Sequence, residues 1–120
     1  MKVDFKSKYT FQERSAETHR ILLKHKDRIP VICQKAPSAG KHCPDIDKQK
    51  YLLPFDLTIG QFIYVIRKRM KLDAELALFI FINNMIPSNS TTISSVYDIY
   101  KNEDNFLYVY YSLENTFGNN

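Results

Sequence analysis

Apolar residues recur along this chain in two periods, and the periods divide it into elements. Ile59, Phe62, Ile63, Ile66 and Met70 repeat at helical spacing, which places one apolar face against a sheet. Thr58 and Gln61 stand before them as a capping-box pair. Arg67, Lys68, Arg69 and Lys71 close the segment, as suits the negative end of a helix dipole. Thr10 and Glu13 repeat the box spacing and predict a first helix running to about Lys24. Its apolar content is thin until Ile21, Leu22 and Leu23, so this helix is expected on the surface of the domain.

The remaining apolar runs are short and β-like. Residues 29–35, centred on Val31, Ile32 and Cys33, predict a strand, and 36–47 reads as a loop through Pro37, Gly40 and Pro44. Tyr51-Leu52-Leu53-Pro54-Phe55 predicts a second strand. Pro54 has no N–H for a ladder, so that strand should lie at an edge or end there. Residues 76–82 are apolar on both faces, which predicts a central buried strand. Val96, Ile99 and Tyr100 suggest a short helix after the Ser/Thr-rich turn around Thr91, and residues 106–111 form a last strand rich in aromatic and β-branched side chains. The order predicts an α+β domain in which one sheet grasps one helix, with a helical N-terminus added.

Length and composition agree with one domain. A chain of 120 residues, 44% hydrophobic, with eight Tyr and eight Phe, can fill a single core and is too short for two ordinary ones. Residues 1–26 read as the helical extension, 27–113 as the core and 114–120 as a flexible tail. The net charge of +4 is uneven: Lys2, Lys6, Lys8, Arg14, Arg20, Lys24, Lys26 and Arg28 crowd the front, and no Lys or Arg follows Asn102. A basic front favours acidic peptides, anionic lipid surfaces or nucleic acid; it is equally the pattern of a solvated helix face. The polar start Met1-Lys2-Val3-Asp4-Phe5 is no signal peptide, and the run 76–82 is far short of the about 20 residues a membrane span takes. Membrane attachment is therefore expected through a partner or a covalent lipid. Two cysteines, Cys33 and Cys43, do not make a disulfide framework, so a reducing cytosol is the expected setting.

The chain offers little catalytic chemistry. His42 beside Cys43 suggests a nucleophile and base, but adjacent residues seldom share the needed geometry and a loop holds neither in place. Cys33 reads as a small core hydrophobe. Cys33, His42 and Cys43 lack metal-ligand spacing, so no zinc site is expected, and isolated glycines make no phosphate loop. Asp45 and Asp47 read as loop solvation. Two positive features remain. The edge strand at Tyr51, preceded by Lys48 and Lys50, could take an extended peptide into pockets lined by Tyr51, Leu52, Leu53 and Phe62; alternatively, the lysines only guard the edge against aggregation. The tail is patternless and carries Gly118, which could thread a narrow active site, although a frayed end is the default.

Longer motifs sharpen the picture. Asp27-Arg28-Ile29-Pro30-Val31-Ile32, Gln34-Lys35-Ala36, Lys50-Tyr51-Leu52-Leu53-Pro54, Asp56-Leu57-Thr58-Ile59-Gly60-Gln61-Phe62, Ile66-Arg67-Lys68-Arg69, Phe81-Ile82-Asn83-Asn84 and Glu114-Asn115-Thr116-Phe117-Gly118 closely resemble the GABARAP-like autophagy modifiers. The resemblance spans nearly the whole chain. It implies a ubiquitin-like β-grasp, a mixed four-stranded sheet packed on a central helix, with two additional N-terminal helices. It implies no catalysis and no cofactor. A processing cysteine protease would cut after Gly118 and release Asn119-Asn120. Activating and conjugating enzymes would carry Gly118 as thioesters to phosphatidylethanolamine, moving a cytoplasmic protein to the autophagosome membrane. Cargo receptors and adaptors would dock there through aromatic-x-x-aliphatic motifs. By matching position, the resemblance assigns the aromatic pocket to Glu17, Ile21, Pro30, Lys50, Leu52 and Phe106. The aliphatic pocket falls to Tyr51, Leu53, Pro54, Leu57, Phe62 and Val65, with Arg28, Lys48 and Arg69 as basic positions around the groove. It implies no nucleic-acid partner and a monomer while unconjugated. Two departures stand out: the loop 38–45 is slightly longer than the family pattern, and Cys43 within it is not a family feature.

The function classes left open are a conjugated modifier, a plain ubiquitin-like module that touches microtubules or membranes through its basic front, and a cysteine hydrolase built on Cys43 and His42.

Overall fold

Both capping boxes form, and each fixes the start of a helix. The computed structural model describes residues 4–40 and 42–115. Thr10 caps α2 (Phe11–Lys24) and Thr58 caps α3 (Ile59–Met70), each hydroxyl accepting from the third backbone N–H of the helix while Glu13 or Gln61 reaches back. A short α1 (Phe5–Lys8) precedes them, and α4 (Ile93–Tyr100) is capped by Thr92. Thus two helices precede the sheet. Lys71 ends α3 in the left-handed region at φ 55°, its N–H reaching the carbonyls of Arg67 and Lys68.

The strands are β1 (Arg28–Lys35), β2 (Lys50–Pro54), β3 (Phe79–Phe81) and β4 (Leu107–Ser112), in the order β2-β1-β4-β3. β1 pairs in parallel with β4 and antiparallel with β2, and β3 pairs antiparallel with β4. This is the mixed four-stranded sheet of a ubiquitin-like α+β fold. One strand expectation needs correction. The strand expected over 76–82 is neither that long nor central: β3 holds three residues and lies at the edge beyond β4. Its apolar content reflects two covered faces, with Ile80 and Ile82 in the main core and Phe81 also buried, and covered faces do not report rank in a sheet. The second strand stops at Pro54, leaving Phe55 exposed, with its N–H bonded to the Asp27 carbonyl.

Alternation sorts the sheet into two faces. Val31, Cys33, Tyr51, Leu53, Ile80, Leu107, Val109 and Tyr111 pack with Ile59, Phe62 and Ile66 of α3 and with Ile93 and Val96 of α4. On the other face Ile32 and Phe106 join Phe5 of α1 and Ile21 of α2, with Leu52 and Tyr108 at the rim. The loop after β1 is no loose excursion either. Ala36, Ala39, Cys43 and Ile46 fold back into the main core, and the Tyr111 hydroxyl donates to the Pro44 carbonyl at 2.9 Å. Cys43, expected on an ordinary loop, is a core side chain at 3% exposure.

Candidate functional site

A free sheet edge gives the site its backbone. β2 is the terminal strand, so beyond the β1 ladder its outer side has no strand partner among the described residues. Pro30 lies opposite Leu52, and Arg28 opposite Pro54. Because successive side chains point to opposite faces, β2 presents Lys50, Leu52 and Pro54 towards α2 and Tyr51 and Leu53 towards α3. One strand thereby serves two apolar regions, on either side of an edge that no further strand covers among the described residues.

On the α2 side, Ile21, Leu52 and Phe106 meet in one cluster, above Ile32 and Phe5. The Phe5 ring stands edge-on to Phe106 at 5.3 Å. Pro30 is buried beside Leu52 on the neighbouring strand. Glu17 and Lys50 form an ion pair that bridges α2 to the start of β2. All six residues expected for an aromatic pocket therefore come from α2, β1, β2 and the entry to β4, on the α2 face of the sheet.

On the α3 side, Tyr51, Leu53 and Phe62 belong to the main core, with Leu57 packed against it. Tyr51 and Phe62 stand edge-to-face at 5.6 Å. Val65 is exposed on α3, and Pro54 is half-buried at the end of β2. Lys48 lies over the Tyr51 ring at 5.0 Å. Arg69 grips Asp47 through two hydrogen bonds of 3.0 and 3.2 Å, and the carboxylate holds the guanidinium pKa above its ordinary value. Arg28 donates to the Leu52 carbonyl at 3.3 Å. Asp47 is therefore a partner of the groove and not mere solvation; Asp45 likewise pairs with Lys35 at 2.9 Å. Burial pushes the Tyr51 phenol well up, and its hydroxyl makes no hydrogen bond.

The cysteine chemistry that the sequence hinted at has no site. His42 is exposed while Cys43 is buried in the core, and burial pushes the Cys43 thiol up. Cys33 is fully buried, and burial raises its thiol strongly. Both remain free thiols.

Sequence reasoning missed a buried polar knot beneath the groove. Asp104 has no exposure, and Arg14 is 9% exposed. Arg14 Nη1 lies 2.5 Å from Asp104 Oδ2, the Tyr108 hydroxyl donates to the same oxygen at 2.6 Å, and the Phe106 N–H donates to Oδ1 at 2.8 Å. The Thr18 hydroxyl donates to the Asp104 carbonyl at 2.6 Å. Burial works against the carboxylate, but the hydrogen bonds from Tyr108, Phe106 and Arg14 outweigh it and hold its pKa below the usual range. Arg14, Thr18 and Ile21 share one α2 face at i, i+4 and i+7 spacing. Only Ile21 is apolar, so hydrophobic periodicity did not reveal that face.

Gly118 lies outside the described residues. No helix among the described residues is long and apolar enough to cross a membrane.

Comparison with known proteins agrees with this geometry. The family described as "Autophagy protein Atg8 ubiquitin like" matches residues 13–118. Autophagy-related protein 8 of Kluyveromyces lactis is 55% identical over 118 residues, covering 98% of this chain and 94% of the relative. The Saccharomyces cerevisiae (strain YJM789) protein is 54% identical, covering 98% and 99%. Among solved structures, Trypanosoma brucei ATG8 superposes with a TM-score of 0.87 at 40% identity, covering 98% of this chain and all of that one. Plasmodium falciparum Atg8, solved in complex with a Plasmodium falciparum Atg3 peptide, gives a TM-score of 0.86 at 31% identity, covering 96% and 99%. A family match over most of the chain and relatives above half identity leave one conclusion: this chain belongs to the Atg8 family of ubiquitin-like autophagy proteins, which are modifiers and not enzymes.

Proposed function

We propose that the chain is a conjugated modifier that recruits receptors through the β2 edge. A cysteine protease cuts after Gly118, and activating and conjugating enzymes then carry its carboxyl group as a thioester. The amine of phosphatidylethanolamine attacks that carbonyl and releases the enzyme thiol, which moves the protein from the cytoplasm onto the autophagosomal membrane. Receptors and adaptors add a strand to β2, seating an aromatic side chain by Ile21, Leu52 and Phe106 and an aliphatic one by Tyr51, Leu57 and Phe62. The observation that carries the reading is the free edge of β2 between two apolar regions on opposite faces. Basic residues at that edge, Arg28, Lys48 and Lys50, suit acidic residues flanking the motif. The complex of a Plasmodium relative with an Atg3 peptide supports a conjugating enzyme as one partner.

Intact mass in native cells, with and without induction of autophagy, tests the conjugation cycle. The expected result is a species ending at Gly118 and a lipid-sized adduct that a Gly118→Ala variant lacks. A single mass ending at Asn120 under both conditions would exclude the cycle and leave a peptide-binding module.

A further inference from the structure

The contacts holding α2 to the sheet are unequal on its two sides. At its N-terminal half the helix is tied by buried bonds, since Arg14 and Thr18 both end on Asp104. Asp104 sits in the tight turn before β4, where Asn105 adopts φ 70° and the Asn102 N–H closes onto the Phe106 carbonyl at 2.8 Å. The carboxylate is thus fixed by its own backbone as well as by its partners. At the groove, α2 meets β2 through Leu52 packed on the Ile21 cluster and through the exposed Glu17–Lys50 pair; the polar tie there is thus a contact that solvent weakens.

Arg14, Glu17, Thr18 and Ile21 follow one another at i, i+3, i+4 and i+7, so they form one stripe of a rigid helix. Arg14 and Glu17 are separated by roughly 4.5 Å along the axis. Asp104 also binds the N–H of Phe106, the residue that faces Ile21 across the cluster. One carboxylate therefore orients both walls of the aromatic end of the groove, the α2 wall through Arg14 and Thr18 and the β4 wall through Phe106. No such tie reaches Tyr51, Leu53 or Phe62, which lie on the opposite face of the sheet.

We infer that the buried Arg14–Asp104 pair is a positioning device for peptide recognition, setting the separation of α2 from the sheet and hence the shape of the aromatic end alone. Neither residue touches the peptide. The inference rests on the proposed β2-edge function and adds to it what sets the selectivity of that site.

The test is a cycle of NMR titrations of the full chain with two peptides, one carrying Trp-x-x-Leu and one with that Trp replaced by Ala, each against the unaltered protein and Asp104→Asn. The expected result is about a tenfold weaker Trp peptide for Asp104→Asn, a difference of about 1.4 kcal/mol, with less than about a twofold change for the Ala peptide. Equal losses for both peptides would show that the pair acts only through overall stability, and that overturns the inference. Unchanged affinity for the Trp peptide overturns it too. If Asp104→Asn does not fold, Tyr108→Phe removes one of the hydrogen bonds to the carboxylate. A roughly threefold loss confined to the Trp peptide then supports the inference, and no loss refutes it. An unaltered protein that binds neither peptide would overturn the β2-edge function itself and this inference with it.

Discussion

Replacing Asp104 by Asn should destabilise the fold far more than replacing Asp45 by Asn, although each removes one carboxylate from one ion pair. Asp104 has no exposure and Arg14 only 9%. Without the carboxylate the guanidinium stays buried with no counter-charge, a situation that costs about 3–5 kcal/mol. Arg14 lies at the rim, where a little solvent reaches it, so the lower end of that range applies, about 3 kcal/mol. For a chain of 120 residues this is a fall in Tm of roughly 10 °C. The Lys35–Asp45 pair spans a similar 2.9 Å, but its side chains are 30% and 51% exposed, so Asp45→Asn should cost less than about 1 kcal/mol. Urea unfolding followed by circular dichroism measures both, provided the m-values agree. If Asp104→Asn lost under about 1 kcal/mol, or no more than Asp45→Asn, the Arg14–Asp104 pair would have to be solvated and the burial argument would fail.

Acid should expose the same group. The folded pKa of Asp104 lies below its ordinary 3.8, so the folded protein binds fewer protons there than the unfolded chain. Its contribution is complete above the unfolded value and is lost as pH falls through the folded one. Chemical melts at stepwise lower pH should show an acid-induced loss that is smaller in Asp104→Asn. Lys71 holds φ 55° at the end of α3, where a side chain costs energy that glycine avoids, so Lys71→Gly should raise stability by about 0.5–1 kcal/mol in thermal melts. Thr58→Ala removes the hydroxyl that accepts from the Gln61 N–H and should cost about 1 kcal/mol, read in the same melts. Leu52→Glu should weaken a Trp-x-x-Leu peptide by more than about tenfold in calorimetry. Leu52 is the suitable probe because it is half-buried at the groove rim; Phe62 has no exposure, and a charge there would break the core.

By itself the sequence determined the helices, the class of fold and the family. Helix starts are local chemistry: Thr10 with Glu13 and Thr58 with Gln61 carry their caps within four residues, so no distant contact is needed to read them. The edge position of β2 was legible because Pro54 cannot donate to a ladder, and long motifs pointed to the family. Tertiary structure decided three things. It put residues 79–81 at an edge, because hydrophobicity records covered faces and not which strand lies alongside. It drew Cys43 into the core, because loop composition does not show that 36–46 folds back under Tyr111. And it paired Arg14 with Asp104 across 90 residues of chain, where each reads alone as an ordinary surface charge. Such a pair exists only once α2 lies on the sheet, since the burial that makes the charges depend on each other comes from folding.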